Sequence, residues 1–536
     1  MATQTVCIIG GGVAGVGLWW TLAQAGQPGA NWDVTIIHDG AEFGGHALTV
    51  PVQHNGATTL VDTGVQFFIP LLYPNINALL QRPEIASMVP VVSYDSLKVA
   101  CAFPRLAGAP QNWGNFPAYQ TGSNFAMYTP AMLRDAQRFQ TFIDLAWVEG
   151  WGPKTLAQYF ASLAVPYENQ SDFLNYFLFP YLSIINGYGA SLDDQVTFYD
   201  LVPLFANFPG KFPGLGSFTQ PGSGYKRFLN GASSLVEALA SHAQSLKPAT
   251  KWLNSTVVSV AASPTLPGPV TVTWSTGQGP KVTKQFDKVV ITTDIITTAG
   301  LLNNNSNSTL WSSLYSKYLT LGKAPGQWDL LPGKCYIHTD ATMLSPDLQQ
   351  QAESLQFTAY YAPDTKNPFY NLFKTYTTYL QANIHDTPEA KGLYLTMYGY
   401  VPDPAKGDRV PAPETVIFEE VWQHGMWLPT FMLQAKQALH MAQGKGAKLS
   451  YPGQLDTGIY FAGNNTTADS LEHAFISGEV IANYAFGAAY PLFGFHMQNV
   501  AAFGMYDLFY KEFMFPKGGV SASLAHLREA IPHISL

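Results

Sequence analysis

The sequence predicts an α/β protein of two or three domains whose first part is a parallel sheet covered on both faces. Three observations predict it. The chain opens with an apolar strand, a run of three glycines, a helix of small residues and a second apolar strand. A late segment, residues 458–462, returns to the same buried-strand pattern and is again followed by a glycine turn and a helix. The chain has 536 residues, 47% of them hydrophobic and only 12% charged. A single core does not extend over that length, and an ordinary soluble domain carries about 25% charge, so large apolar interiors are expected.

Residues 5–9 are apolar without alternation, as in a strand buried on both faces. Gly10-Gly11-Gly12 follows, then a helix over about 13–25, a turn-rich linker over 26–31 and a second strand over 33–37. A βαβ crossover is right-handed and makes its two strands parallel. From about 70 to 225, aromatic segments with helical spacing are broken by Pro and Gly. A helix is expected over 229–244 and strands over 257–261, 270–274 and 288–292. Residues 300–445 mix both patterns without a clear period. The late strand over 458–462 leads to a helix over about 470–486. The final segment is rich in Phe and Met and reads as an extension docked on the body, its alternative being peripheral membrane contact through 490–515.

Composition excludes several functions. A net charge of −8 with 28 Lys and Arg, nowhere in a run, argues against a nucleic-acid partner. Cys7, Cys101 and Cys335 stand in no metal-ligand or CxxC spacing, so neither a zinc site nor a disulfide framework is expected. The chain begins without a basic, cleavable apolar leader and has no apolar run of membrane-spanning length. A cytoplasmic location is therefore expected, and matches such as Asn254-Ser255-Thr256 read as chance glycosylation sequons.

The chemistry begins at Gly10-x-Gly12-x-x-Gly15, placed after a strand and at a helix start. Gly10 allows the tight turn, Gly12 lets backbone approach a pyrophosphate, and Gly15 lets helix and strand pack closely. Val13 and Ala14 lie between them, where free N–H groups and the helix dipole favour an anion. An acid is expected at the end of the second strand to hold ribose hydroxyls. This chain has His38 there and Asp39 next, so either Asp39 accepts with a register shift or His38 donates. The pair Gly44-Gly45 would let the chain pass a bulky ligand, with His46 beside it, though an isolated glycine pair is more often a turn.

Together, the GxGxxG opening, Glu42-Phe43-Gly44-Gly45-His46-Ala47-Leu48-Thr49, and Asp62-Thr63-Gly64 followed by Tyr73-Pro74-Asn75 resemble the flavin amine oxidase superfamily. The 286–291 strand, the His338-Thr339-Asp340 segment and the Ala462-Gly463 turn extend the resemblance, which is nearest to its GGH-type NAD/FAD-binding oxidoreductases. Protoporphyrinogen oxidase-like and polyunsaturated fatty acid isomerase proteins are relatives of that group.

The resemblance implies a Rossmann-like FAD-binding domain of the amine oxidase/glutathione reductase-2 type, discontinuous over 1–80, 225–300 and 450–488. A discontinuous α+β substrate domain would occupy 81–224 and 301–449, with 489–536 as the docked extension. It implies FAD, its isoalloxazine near Gly44, Gly45, His46, Gly64 and Val65, its adenine on the Val257 backbone. Gly463 and Asn464 would meet the pyrophosphate and ribitol, Asn464 standing where the superfamily often has an acid. Glu472 and Ala474, in the closing helix, would lie at the cofactor, Ala474 at the flavin edge.

Lys334 is the candidate for the lysine that holds a water near flavin N5, and a solvated surface lysine is the competing reading. Trp422, His424, Trp427 and Phe431 are candidate cavity walls, as is Tyr188, with plain core as the alternative. The expected reaction is hydride transfer from an apolar small molecule or lipid to flavin N5. The alternatives are redox-neutral double-bond isomerisation of a fatty acid and non-catalytic flavin or lipid binding. A single GxGxxG unit argues against NAD(P)H as a free co-substrate.

Overall fold

The computed structural model describes residues 3–24, 32–68, 70, 73–93, 99–102, 113–114, 130–146, 155–170, 173–178, 225–265, 267–303, 330–345, 355–361, 373–425, 443, 457–463, 466, 470–488 and 492. Strand β1 (Gln4–Ile9) buries Val6 to Ile9 completely or nearly so. Helix α1 (Val13–Ala23) is buried at all eleven positions. A helix that is apolar all round must be covered all round, and α1 is packed between the sheet and two further helices. Next come β2 (Trp32–Ile37), the hairpin β3 (Thr49–His54) and β4 (Ala57–Asp62), the short helix α2 (Pro74–Leu79), β5 (Val91–Ser93), β6 (Val99–Ala102) and β7 (Trp113–Gly114). They are followed by β8 (Lys226–Phe228), α3 (Ser233–Leu246), β9 (Thr250–Trp252), β10 (Ser255–Ala261), β11 (Val270–Thr276), β12 (Val282–Phe286) and β13 (Lys288–Ile291). The later elements are β14 (Leu330–His338), β15 (Leu355–Tyr361), β16 (Phe373–Leu380), β17 (Tyr394–Tyr398), β18 (Val416–Gly425), β19 (Ile459–Phe461) and α4 (Leu471–Phe486).

Two sheets organise the molecule. The first is five-stranded, in the order β19-β13-β1-β2-β9, and every pair in it is parallel. Its strands come from the beginning, middle and end of the chain. Helix α1 lies against α4 so closely that a Cβ on Gly478 would stand 2.3 Å from the Ala14 carbonyl oxygen. The free edge of β19 is closed by the Gln443 amide, which donates to the Phe461 carbonyl and accepts from the Phe461 N–H, both at 2.8 Å. The second sheet is seven-stranded, in the order β18-β14-β17-β16-β15-β6-β7. The strands β10-β11-β12 form a third, antiparallel sheet.

The strands expected over 257–261, 270–274 and 288–292 appear as β10, β11 and β13, with boundaries shifted by one or two residues. The helix expected from 229 starts only at Ser233, because residues 226–228 pair with β5 and Gly231 turns the chain at φ +79°. Residues 300–445 gave no period because the described part is largely sheet with polar residues inside. Gln356, Thr358, Thr378 and Thr396 are fully buried in β15, β16 and β17, which erases the alternation that marks a half-exposed strand. Of the 489–536 extension, only Leu492 is among the described residues, and it is buried. No helix among the described residues is long and apolar enough to cross a membrane.

Candidate functional site

The site begins where β1 ends. Gly10 turns the chain at φ +113° and donates its N–H to the Ile37 carbonyl of β2. A Cβ on Gly15 would stand 2.1 Å from the Gly10 carbonyl oxygen and 3.1 Å from the Ile8 side chain, so this glycine is required by helix–strand contact. Gly12 is different. It caps α1 in extended conformation, and among the described residues a Cβ there would meet nothing nearer than Gly45 Cα at 3.8 Å. Protein packing therefore does not require glycine at this position. No side chain caps the helix, and its first turn holds no acid. The orphan N–H groups and positive dipole end of an eleven-residue helix are thus presented beside an unfilled backbone face.

Two other segments meet this point. Gly44 donates its N–H to the Gly11 carbonyl at 3.0 Å and forms a parallel bridge with Gly12. Gly463, at φ +78°, follows β19, and its Cβ position lies 3.5 Å from the Ala14 Cβ and 3.2 Å from the Thr292 carbonyl oxygen. Its N–H is held by the Ser477 hydroxyl at 2.7 Å, and that hydroxyl donates to the Ala474 carbonyl one turn earlier in α4. The three glycine turns predicted to converge do so. Ser477, fully buried, fixes the third of them. Sequence spacing gave no sign of it, since a serine 14 residues after a turn matches no motif.

At the second-strand terminus the structure separates the two candidates. The His38 Nδ1 accepts from the Gly11 N–H at 3.2 Å, and the Nε2–H donates to the Glu42 carbonyl at 2.9 Å. Burial lowers the proton affinity of this imidazole, against the opposing pull of Asp39 and the Glu42 carbonyl. A neutral ring with both nitrogens engaged has no donor left for a ribose. Asp39 carries the next carboxylate and is 79% exposed. Val257 lies in β10, whose first residue, Ser255, donates its N–H to the His38 carbonyl at 2.9 Å. A bulge follows directly after Val257.

Glu472 departs from expectation. Its Oε1 accepts from the backbone and side-chain nitrogens of Asn75, and its Oε2 from the Ile76 N–H, all at 2.8–2.9 Å. Both carboxylate oxygens are spent on clamping the start of α2 to α4, so Glu472 does not reach toward a ligand. Asp62 ties the hairpin in the same way, accepting from Thr49 Oγ1 at 2.6 Å and the Ala232 N–H at 2.8 Å.

The seven-stranded sheet meets the glycine cluster through one face. Gly64 is packed against the His46 carbonyl, which a Cβ would overlap at 1.9 Å, and Val65 packs partly buried on the main core. The His46 ring makes an edge contact with Trp422, centroids 4.9 Å apart at 72°. Trp422 is opposite Gly333 in the β14–β18 register, and Glu420 is opposite Cys335. Alternation along a strand puts Glu420, Trp422 and Cys335 on one face and Lys334 with Glu419 on the other. Lys334 Nζ lies 3.0 Å from Glu419 Oε2 and 4.7 Å from the Tyr336 ring centroid. The lysine expected at flavin N5 therefore points away from His46 and Trp422, into an ion pair with the half-exposed Glu419. The His338-Thr339-Asp340 segment is likewise structural. His338 Nε2 bonds Thr396 Oγ1 at 2.7 Å, its Nδ1 accepts from the Asp340 N–H, and burial pushes the imidazole down to about 4.

The sequence profile of the flavin containing amine oxidoreductase family matches residues 20–309. The chain belongs to this family. Solved structures with the same fold include a CLA-producing fatty acid isomerase from P. acnes, 12% identical, with TM-score 0.55 over 90% of this chain and 98% of that one. A protein provisionally named protoporphyrinogen oxidase, from Exiguobacterium sp. 255-15, is 14% identical, with TM-score 0.54 over 91% and 100%. Cyclohexylamine oxidase from Brevibacterium oxydans IH-35A is 12% identical, with TM-score 0.50 over 91% and 98%. No curated protein sequence matches the chain at a significant level.

The cofactor of this amine oxidoreductase-family chain is FAD, and the open flank of Gly12 at an uncapped helix start fits a dinucleotide pyrophosphate. The matched segment begins after the GxGxxG turn and stops before Gly463. Asn464, Tyr188, Trp427 and Phe431, and the His424 side chain, lie outside the described residues. No group of three His, Cys, Asp or Glu among the described residues could hold a metal. Lys334→Met is expected to keep flavin content and the rate of flavin reduction within about twofold of wild type, since a partly exposed ion pair contributes at most about 1 kcal/mol. A stopped-flow reduction trace checks this, and a drop of tenfold or more would return Lys334 to the reacting centre.

Proposed function

We propose that the protein is an FAD-dependent oxidoreductase that removes a hydride from an apolar small molecule or lipid. The observation that carries the reading is Gly12, whose side is open among the described residues although none of them needs it to be. The pyrophosphate is assigned to the N-terminus of α1, with Val13 and Ala14 in its first turn and Gly44, Gly45 and Gly463 around it. Asp39 is assigned to the ribose hydroxyls and the Val257 backbone to the adenine. The domain division into 1–80, 225–300 and 450–488 against 81–224 and 301–449 belongs to the same reading.

When bound, the flavin supplies a two-electron acceptor for a hydride from substrate carbon. The chain orients the substrate and excludes water. Support for an apolar substrate comes from the sheet face shared with Trp422. It carries Cys335, Met397, Thr377 and Phe357, each neutral, and one carboxylate among those named, Glu420. A buried, weakly polar wall of this kind holds a hydrocarbon segment by area and shape rather than by charge.

Purified protein is expected to show a flavin spectrum that bleaches anaerobically with an unsaturated fatty acid and far more slowly with primary amines. An oxidase then consumes oxygen in step with product. Full turnover without oxygen or another acceptor would instead identify a redox-neutral isomerase. A flavin that no fatty acid or amine reduces, in a protein that isomerises no fatty acid either, would overturn the enzymatic reading.

A further inference from the structure

We propose that Glu420 is a positioning residue for His46, a carboxylate that holds a proton on the imidazole where the seven-stranded sheet meets the Gly44–Gly45–His46 turn. This rests on the proposed flavin reading, since it is the FAD site that the imidazole flanks. The inference starts from placement. Glu420 lies two residues before Trp422 on β18 and opposite Cys335 on β14, so it shares the face on which Trp422 touches the His46 ring. The His46 backbone is fixed by the contact of its carbonyl with Gly64, and its ring is fixed by Trp422. An imidazole whose position is held from both sides can be tuned by a neighbouring charge without moving.

Two charged groups act on Glu420, and they come from different segments. His46 stabilises its carboxylate and Asp39, beyond the end of β2, opposes it. Burial is the largest influence and pushes the carboxyl up from its ordinary value. The group opposite it, the Cys335 thiol, is pushed up to about 11, mainly by burial, and stays neutral. The interaction is reciprocal: whatever His46 does for the carboxylate, the carboxylate does for the imidazolium. The sequence places His46 beside the flavin but gives no partner for it, because Glu420 lies 374 residues away, on a strand of the seven-stranded sheet.

The test is histidine Cε1–H resonance titration of the FAD-loaded protein, with the His46 signal assigned by its loss in His46→Gln. In Glu420→Gln the His46 midpoint is expected to fall by about 0.5–1 pH unit, a shift reduced from a fully buried pair by partial solvent screening. Glu420→Asp, which keeps the charge, is expected to recover most of that shift. An unchanged midpoint in Glu420→Gln overturns the proposal, as does an equal fall in Glu420→Asp, which would trace the effect to side-chain shape. If neither variant folds, the wild-type His46 resonance decides. It must show a second inflection in the acidic range as Glu420 titrates, and a single transition overturns the pairing. Flavin content from the visible spectrum is scored separately. A protein that takes up no FAD sinks the functional reading, whereas FAD uptake with an uncoupled His46 sinks only this inference.

Discussion

Gly12→Ala is expected to leave the apoprotein as stable as wild type and to weaken FAD binding by about 10- to 100-fold. The added methyl would sit 3.8 Å from Gly45 Cα, an ordinary contact, and the backbone there is extended and unstrained. It would nevertheless occupy the space through which a pyrophosphate reaches the first N–H groups of α1. Losing that approach removes charge-assisted hydrogen bonds together with the favourable dipole end, and each factor of ten is about 1.4 kcal/mol of binding. Gly15→Ala should behave in the opposite way. Its methyl would overlap the Gly10 carbonyl at 2.1 Å, so β1 and α1 must separate, with a stability loss of about 3 kcal/mol. Flavin fluorescence quenching gives the affinity and thermal melting of the apoprotein gives the stability. Equal affinity in Gly12→Ala and wild type would mean that the open flank is not where FAD binds.

The second large effect is on stability against pH. Glu472 is fully buried, and burial pushes its carboxyl from near 4.5 up to about 7 despite three hydrogen bonds that favour the charged form. Glu479 lies two turns further along the same face of α4. Its oxygens have no hydrogen-bond partner among the described residues, and burial, with Glu472 second, raises it further still. The folded state therefore binds a proton at Glu472 more tightly than the unfolded chain does. Its contribution is complete below about pH 4.5 and is lost as pH rises through 7, about 3 kcal/mol in all.

Glu472→Gln has no such proton. Its amide presents an N–H2 to one of three N–H donors, which costs about 1–2 kcal/mol at low pH. Urea unfolding of both proteins in the same flavin state is expected to give curves that cross, wild type being more stable at pH 5 and the variant at pH 8.5. The raised Asp62 and the lowered His338 are common to both proteins and cancel in the difference. A difference independent of pH would show that Glu472 is charged throughout.

The opening β1–α1–β2 unit was legible because its signals are local. An unalternating apolar strand, glycines at spacings two and three, and a helix of small residues each act within a few residues of themselves. The Gly44–Gly45 turn and Gly463 were legible as motifs, and the structure brings both to the same helix start. The direction of Lys334 is not legible, because which face a strand residue occupies is fixed by its partner strands. One step along β14 separates Lys334 from Cys335 and sends them to opposite sides. His38 and Glu472 were assigned to the cofactor because motif position marks proximity. Their hydrogen-bonding capacity was already taken by Gly11, Glu42, Asn75 and Ile76, and no spacing rule registers that.

The sequence alone determined that the chain opens with a parallel βαβ unit with a glycine-rich turn at its helix start, since helix period, strand burial and glycine spacing are properties of neighbouring residues. The tertiary structure decided how these groups are engaged: His38 is held by Gly11 and Glu42, Lys334 lies on the sheet face opposite that of Trp422 and Glu420, and Ser477 anchors Gly463. The physical reason is range. Backbone preferences are set within one or two turns of chain, whereas the direction and occupancy of a hydrogen-bonding group depend on partners tens to hundreds of residues away.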